Sequence, residues 1–170
     1  MDAPILMTER LAFRPFRPED FGDFTALHTD PEVQRFIGGV WDEPTLREFF
    51  GKFLREQPQV GFTKWRVDER EDIGGGGFVG SAGLSLNAET GAADLGYTFA
   101  RAAWGRGYAR EAARALTDWL FANTDVSVMT ACAAVDHAVS RRVLENLGMT
   151  GDGEREHRGV LCAFYRLERT

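Results

Sequence analysis

The chain has 170 residues and a mass of 19.0 kDa, enough for one domain with a real core. Its 44% hydrophobic and 27% charged residues are ordinary for a globular protein. A net charge of -6 and a pI near 5.1 argue against general nucleic-acid binding and mildly favour cationic substrates.

No apolar run approaches the ~20 residues of a membrane span, and the N-terminus has no signal-like apolar stretch. The two cysteines, Cys132 and Cys162, lie in apolar surroundings without metal-ligand spacing and read as reduced and buried. A cytoplasmic protein free of membranes is the expectation. The three histidines, His28, His137 and His157, are scattered, so no metal site is indicated.

In chain order, Thr8 to Phe16 alternates Leu11 and Phe13 with Ala12 and Arg14, the period of a strand. Pro18, Glu19 and Asp20 put proline and acids into a helical first turn that Phe21, Phe24 and Leu27 continue. Asp30-Pro31 opens a second short helix through Phe36, which Gly38-Gly39 stops. From Asp42 a third helix spaces Leu46, Phe49, Phe50, Phe53 and Leu54 along one apolar face. These aromatics read first as core, although short early helices also suit the wall of a cleft.

Gly61 to Val67 reads as a strand, Asp68 to Gly77 as a charged connection and Phe78 to Leu86 as the next strand. The run Gly74-Gly75-Gly76-Gly77 opens no helix and lacks a following Lys-Ser/Thr pair. It therefore predicts a hairpin turn and not a phosphate loop. Asn87 to Gly91 is a turn, and Ala92 to Ala100 a strand in which Gly96 marks a bulge or a close backbone approach.

That strand runs into Ala103 to Ala112 (A-W-G-R-G-Y-A-R-E-A), a glycine turn that opens an amphipathic helix. Gly105 and Gly107 let successive N–H groups converge, the helix adds its unpaired first-turn amides and positive dipole end, and Arg106 and Arg110 add charge. Such a turn is a seat for a pyrophosphate or another compact anion, though a glycine turn alone is a weak signal.

Beyond it, Ala109, Ala112, Ala113, Leu116 and Leu120 form a small-residue stripe that packs closely on a sheet. Val126 to Ala134 has the continuous apolar run of a buried parallel strand. Asp136 is placed to cap a helix from His137 to Leu147, with Gly148 at its C′ position. Met149 to Glu168 reads as two strands around Arg158-Gly159. One mixed α/β domain over residues 1–170 is the economical reading.

Three segments in this order resemble the GNAT superfamily of acetyl-CoA-dependent N-acetyltransferases, and within it the RimJ/RimL type that acts on ribosomal-protein N-termini. They are T-E-R-L-A-F-R-P-F with Asp30-Pro31-Glu32-Val33, then Leu95-Gly96-Tyr97 with Trp104 to Ala112, then Ser140 to Met149 (S-R-R-V-L-E-N-L-G-M). The resemblance implies a single-domain GNAT fold, a mixed central sheet of about seven strands flanked by four or five helices. It also implies acetyl-CoA as cosubstrate without a metal, an amine acceptor (a small molecule or a peptide N-terminus) and, since dimers are common in the family, an option for a homodimer.

By the same resemblance, Trp104, Gly105, Arg106, Gly107, Tyr108, Ala109 and Arg110 would bind the pyrophosphate, with Trp104 where the superfamily has Gln or Arg. Tyr97, Thr98 and Phe99 would pair their backbone with the pantetheine arm, and a backbone N–H there would polarise the thioester carbonyl. His137 stands where the family has Asn, and Leu144 where many members carry a tyrosine acid.

Acetyl transfer to an amine needs a docked thioester, a neutral amine, an oxyanion donor and a proton for the departing thiolate. Ser140, also counted among the cofactor contacts, is the candidate for the thiolate, and Asp94 a candidate base acting through water. The plainer readings are a serine in a helix's first turn and an exposed strand carboxylate. Two other readings of the whole chain stand beside transfer to a primary amine in a ternary complex. One is a CoA-binding regulatory module without turnover, for which His137 and Leu144 leave room. The other is a different nucleotide-binding α/β protein, disfavoured because the Gly105-x-Gly107 turn lacks a third glycine at Arg110 and does not open the fold.

Overall fold

The structure, a computed structural model, describes residues 3–170. Among them eight strands form one sheet. They are β1 (Leu6–Met7), β2 (Leu11–Arg14), β3 (Lys64–Glu69), β4 (Gly77–Leu86), β5 (Ala93–Phe99), β6 (Val128–Ala134), β7 (Thr150–His157) and β8 (Val160–Glu168). The strand beyond the expected seven is the two-residue β1, ahead of the expected first strand. The helices are α1 (Phe21–Thr29), α2 (Pro31–Gln34), α3 (Glu43–Val60), α4 (Glu71–Gly74), α5 (Tyr108–Asn123) and α6 (Ala138–Asn146). No helix among the described residues is long and apolar enough to cross a membrane.

The sheet order is β1-β2-β3-β4-β5-β6-β8-β7, and all neighbours are antiparallel except β5 and β6. That parallel pairing is short: Ala93, Asp94 and Leu95 face Met129, Thr130 and Ala131. Beyond Leu95, β5 continues to Phe99 against β4, while β6 pairs with β8 through Ala134. No strand among the described residues pairs the β6-side edge of β5 after Leu95. The two central strands therefore part and leave a wedge whose apex is Gly96.

Alternation along the strands divides the core. On one face Leu11, Phe13, Trp65, Val67, Leu84 and Leu95 pack with Ala112, Ala113, Leu116 and Leu120 of α5. Small side chains on α5 let the helix lie close, and the fully buried Leu116 and Leu120 each contribute about 1.5–3 kcal/mol of burial. On the other face Phe16, Phe24, Leu46, Phe50 and Phe53 join α1 and α3. Arg66 reaches from that face of β3 to Asp20 and Asp23 at the start of α1.

The helix ends follow from local chemistry. Asp42 accepts the N–H of Thr45 at 2.9 Å to start α3, and Gly61, at φ +89°, ends it. At the end of α6, Gly148 N–H reaches Glu145 O at 3.0 Å and Met149 N–H reaches Leu144 O at 3.3 Å, with Gly148 at φ +88°. That is the Schellman pattern expected of a glycine at C′.

Two expectations need correction, and a choice left open at Gly96 is decided. Asp136 does not cap α6: the capping residue is His137, without a side-chain bond. Its place is set by the backbone bond from His137 N–H to Ala134 O at 2.9 Å, so the turn out of β6 is fixed before Asp136 can act. The Asp68–Gly77 connection is also more ordered than a hairpin turn. β3 runs to Glu69, Glu71–Gly74 makes a helical turn, and Gly77 begins β4. Gly96, finally, is a close approach and not a bulge. It pairs with Gly83 in unbroken β4–β5 register, and the space of a Cβ holds the end of Lys64.

Candidate active site

Gly105 and Gly107 take left-handed backbone at φ +73° and +80°, which ordinary residues adopt only with strain. Gly107 caps α5, and its carbonyl accepts the first helical bond from Glu111 N–H at 3.1 Å. The N–H groups of Tyr108, Ala109 and Arg110 consequently have no helical acceptor and carry the positive end of the dipole. Beside them lies a cleft of about 410 Å³ lined by Arg10, Gly107, Arg110, Glu111 and Arg114, with Val143 and Asn146 of α6. A Cβ at Gly105 would meet nothing within 4 Å, so the turn is open to a ligand's approach. The backbone donors with Arg110 and Arg114, beside an Arg10 that is paired with Glu111, fit a compact polyanion such as a pyrophosphate.

The side chains of the turn divide into two kinds. Arg106 and Tyr108 point inward: both bond the Glu69 carboxylate, and the Arg106 guanidinium lies 4.7 Å over the Tyr108 ring. The Tyr108 hydroxyl and then Arg106 hold the Glu69 carboxyl below its ordinary range. Trp104 donates from Nε1 to Phe99 O at 2.8 Å, tying the turn to the end of β5. Arg110 is exposed and has no side-chain partner among the described residues.

A second brace comes from the chain's beginning. Glu111 accepts from the Thr8 hydroxyl at 2.6 Å, the Arg10 N–H at 2.9 Å and the Arg10 guanidinium at 2.7 Å. Burial opposes ionisation of Glu111, yet these donors win and lower its pKa. Arg10 also donates to Arg106 O at 2.7 Å.

At the wedge, Tyr97 of β5 and Ser140 of α6 meet across the gap, Oη to Oγ, at 2.9 Å. Burial pushes the Tyr97 phenol up to about 12, so it stays protonated. Ser140 is itself buried, and the pair can pass hydrogen-bond donation from Tyr97 through Ser140 to an atom in the gap. Thr98 lies opposite Ser81 in β4, and Phe99 is buried 6.4 Å from Tyr108. Asp94 stands two residues before the apex and accepts from Thr130 Oγ1 at 3.0 Å. Leu144 is core.

Two of the three histidines stack on aromatic rings. His137 stacks on Phe36 at 4.2 Å and 10°, and burial lowers its pKa, leaving a neutral imidazole. His28 stacks on Trp41 at 4.1 Å and 7°, and Gln34 Nε2 lies 3.1 Å from its Nδ1. Arg158, at the β7–β8 tip with φ +52°, lies 4.7 Å over Phe49.

The structure thus gathers the turn residues at one end of the wedge, and Tyr97, Ser140 and Asp94 around its apex. Sequence reasoning missed Arg10, Arg114, Glu69 and Lys64. The T-E-R opening carried a signal for Arg10, since Thr8 and Arg10 are the groups that bind Glu111. No group of three or more metal-ligating side chains occurs among the described residues.

Residues 10–150 match the family described as the acetyltransferase (GNAT) domain. The Bacillus subtilis protein YkkB is 32% identical over 148 residues, 85% of this chain and 84% of its own length. A solved acetyltransferase from Agrobacterium tumefaciens superposes with a TM-score of 0.84 at 27% identity, covering 99% of this chain and 96% of the other. A Vibrio cholerae spermidine N-acetyltransferase, solved with CoA and spermine, shares the fold at a TM-score of 0.77 and 15% identity, covering 95% and 96%.

Proposed function

The chain belongs to the GNAT acetyltransferase family, whose members are acetyl-CoA-dependent acyltransferases, and from that premise we propose that it transfers acetyl to a primary amine by direct attack in a ternary complex. The acceptor is a protein N-terminus or a small-molecule amine, in keeping with the RimJ/RimL-like motifs, and one catalytic domain spans residues 1–170. The observation that carries this reading is the wedge: among the described residues β5 has no partner on its β6 side after Leu95, and the glycine turn opens at the end of that free edge.

The residues divide the work. The N–H groups of Tyr108, Ala109 and Arg110, with Arg10, Arg110 and Arg114, receive the pyrophosphate. Trp104, Arg106 and Tyr108 act through their side chains as braces, while the backbone of the turn makes the contacts. The free edge of Tyr97 to Phe99 pairs with the pantetheine arm, and a backbone N–H on it stabilises the oxyanion. His137 borders the entry with its neutral ring on Phe36. Acetyl-CoA supplies the activated thioester. Ser140, backed by the protonated Tyr97, donates a hydrogen bond to the sulfur as the C–S bond breaks. Asp94, held by Thr130, takes a proton from the incoming ammonium through water. The Vibrio cholerae relative, named for spermidine and solved with spermine, supports an amine acceptor.

A panel of amines, including spermidine, free amino acids and peptides with free N-termini, tests the reading by acetyl-CoA-dependent thiol release. Turnover with at least one amine, with intersecting double-reciprocal lines, is expected. Binding of acetyl-CoA without thiol release for any amine would contradict it.

A further inference from the structure

Of the chain's 20 Lys and Arg residues only two are lysines, Lys52 and Lys64. Lys52 is an exposed residue of α3 that pairs with Glu56 at 3.5 Å. Lys64 is placed differently. It opens β3, pairs with Gly83 in β4, and Gly83 pairs with Gly96 in β5. Two glycines in a row clear a path across the sheet, and the Lys64 side chain follows it. Its Nζ lies 3.2 Å from Gly83 O and 3.5 Å from Asp94 O. The position a Cβ would take on Gly96 is only 2.5 Å from that nitrogen.

Gly96 is the apex of the wedge, so the amine stands directly over the point where β5 and β6 part. It does so on the face opposite Tyr97 and Ser140. Lys64 shares its side of β3 with Arg66, which faces α1, while the intervening Trp65 packs edge-on against Trp119 of α5. One face of the apex thus presents hydroxyls and the other an amine. Lys64 is half-buried, and two carbonyls occupy two of its three N–H directions. Burial lowers its pKa against the opposing pull of Asp94, which raises the share of neutral, nucleophilic nitrogen.

We propose that Lys64 Nζ is itself an acetyl acceptor, an internal modification site that takes the acetyl group from bound acetyl-CoA when no amine fills the cleft. This rests on the reading that the thioester lies in the β5–β6 wedge. The nitrogen lone pair forms a C–N bond to the thioester carbonyl carbon, and the C–S bond breaks. Sulfur leaves with that electron pair and takes up the proton the nitrogen sheds. The products are Nε-acetyl-Lys64 and CoA thiol, with no further reactant needed.

Incubation of the full chain with acetyl-CoA and no acceptor, followed by intact mass and peptide mapping, tests this, with Lys52 as the internal control for uncatalysed acetylation. One acetyl group on Lys64, gained at least about tenfold faster than on Lys52, is expected from proximity. Saturating amine acceptor should slow the labelling, and Lys64→Arg should remove it. A folded Gly107→Asp variant should lose labelling of Lys64 but not of Lys52. Lys64 left unmodified in protein that turns over an external amine would overturn the proposal and leave the transferase reading intact. Failure to bind acetyl-CoA at all would overturn both. Equal labelling of the two lysines would also overturn it, as chemistry without a site.

Discussion

Tyr97 Oη and Ser140 Oγ lie 2.9 Å apart, and the proposed mechanism has them meet a departing thiolate. A single hydrogen bond made only in the transition state contributes enough for a tenfold rate effect. Ser140→Ala should therefore lower kcat roughly tenfold or more, with acetyl-CoA affinity changed less than about twofold. Tyr97→Phe should cost a similar amount, and the double variant little more than either single, because the two act in series. Equal rates in Ser140→Ala and wild type would return Ser140 to a packing role. His28 makes a separate residue-scale prediction. Burial, aided by Arg158, lowers its pKa from 6.5 to about 4, so the folded state holds it neutral where the unfolded chain protonates it. Stability should fall as pH drops from 6.5 to about 4, by up to about 3 kcal/mol from this residue. Denaturation midpoints for wild type and His28→Phe across that window measure it. Parallel pH profiles would contradict the assignment.

At the scale of elements, the glycine path across β3, β4 and β5 has a testable cost. A Cβ on Gly83 would press on backbone, including Lys64 Cα at 2.7 Å, and no flexible tip is there to yield. Gly83→Ala should destabilise by about 1–3 kcal/mol, read from the denaturant midpoint. Gly151→Ala, where nothing lies within 4 Å, should be near neutral and serves as the control. An unchanged midpoint in Gly83→Ala would contradict the close packing of β3 on β4. This row also shows what the sequence could and could not disclose. Local periods disclosed β2, α3, β4, β5 and α5, because each signal lies within one element. The turn at Gly105 and Gly107 was legible for the same reason. The Lys64–Gly83–Gly96 row depends on register between strands 13 and 19 residues apart, which no local pattern records. The Glu111 brace joins residues 101 and 103 positions apart. The Asp136 cap failed because a good capping residue stood next to a turn that backbone bonds had already fixed.

For the whole molecule, the proposed reading brings cosubstrate and amine to one wedge. The cleft at the N-terminus of α5 gathers Arg10, Arg110 and Arg114 beside Glu111 in a chain of net charge -6, and the proposed reading docks the polyanion there. Arg110, without a side-chain partner among the described residues, should act chiefly through charge. Arg110→Ala should weaken acetyl-CoA binding by about tenfold at low salt, and by less as salt rises. The most direct test of the account is a calorimetric titration of CoA into wild type and Gly107→Asp, with the fold of each checked by circular dichroism. Gly107→Asp puts a side chain and a negative charge where the pyrophosphate would approach at φ +80°. The account predicts saturable one-site binding to wild type and none to the folded variant. Equal CoA affinity in both would contradict it.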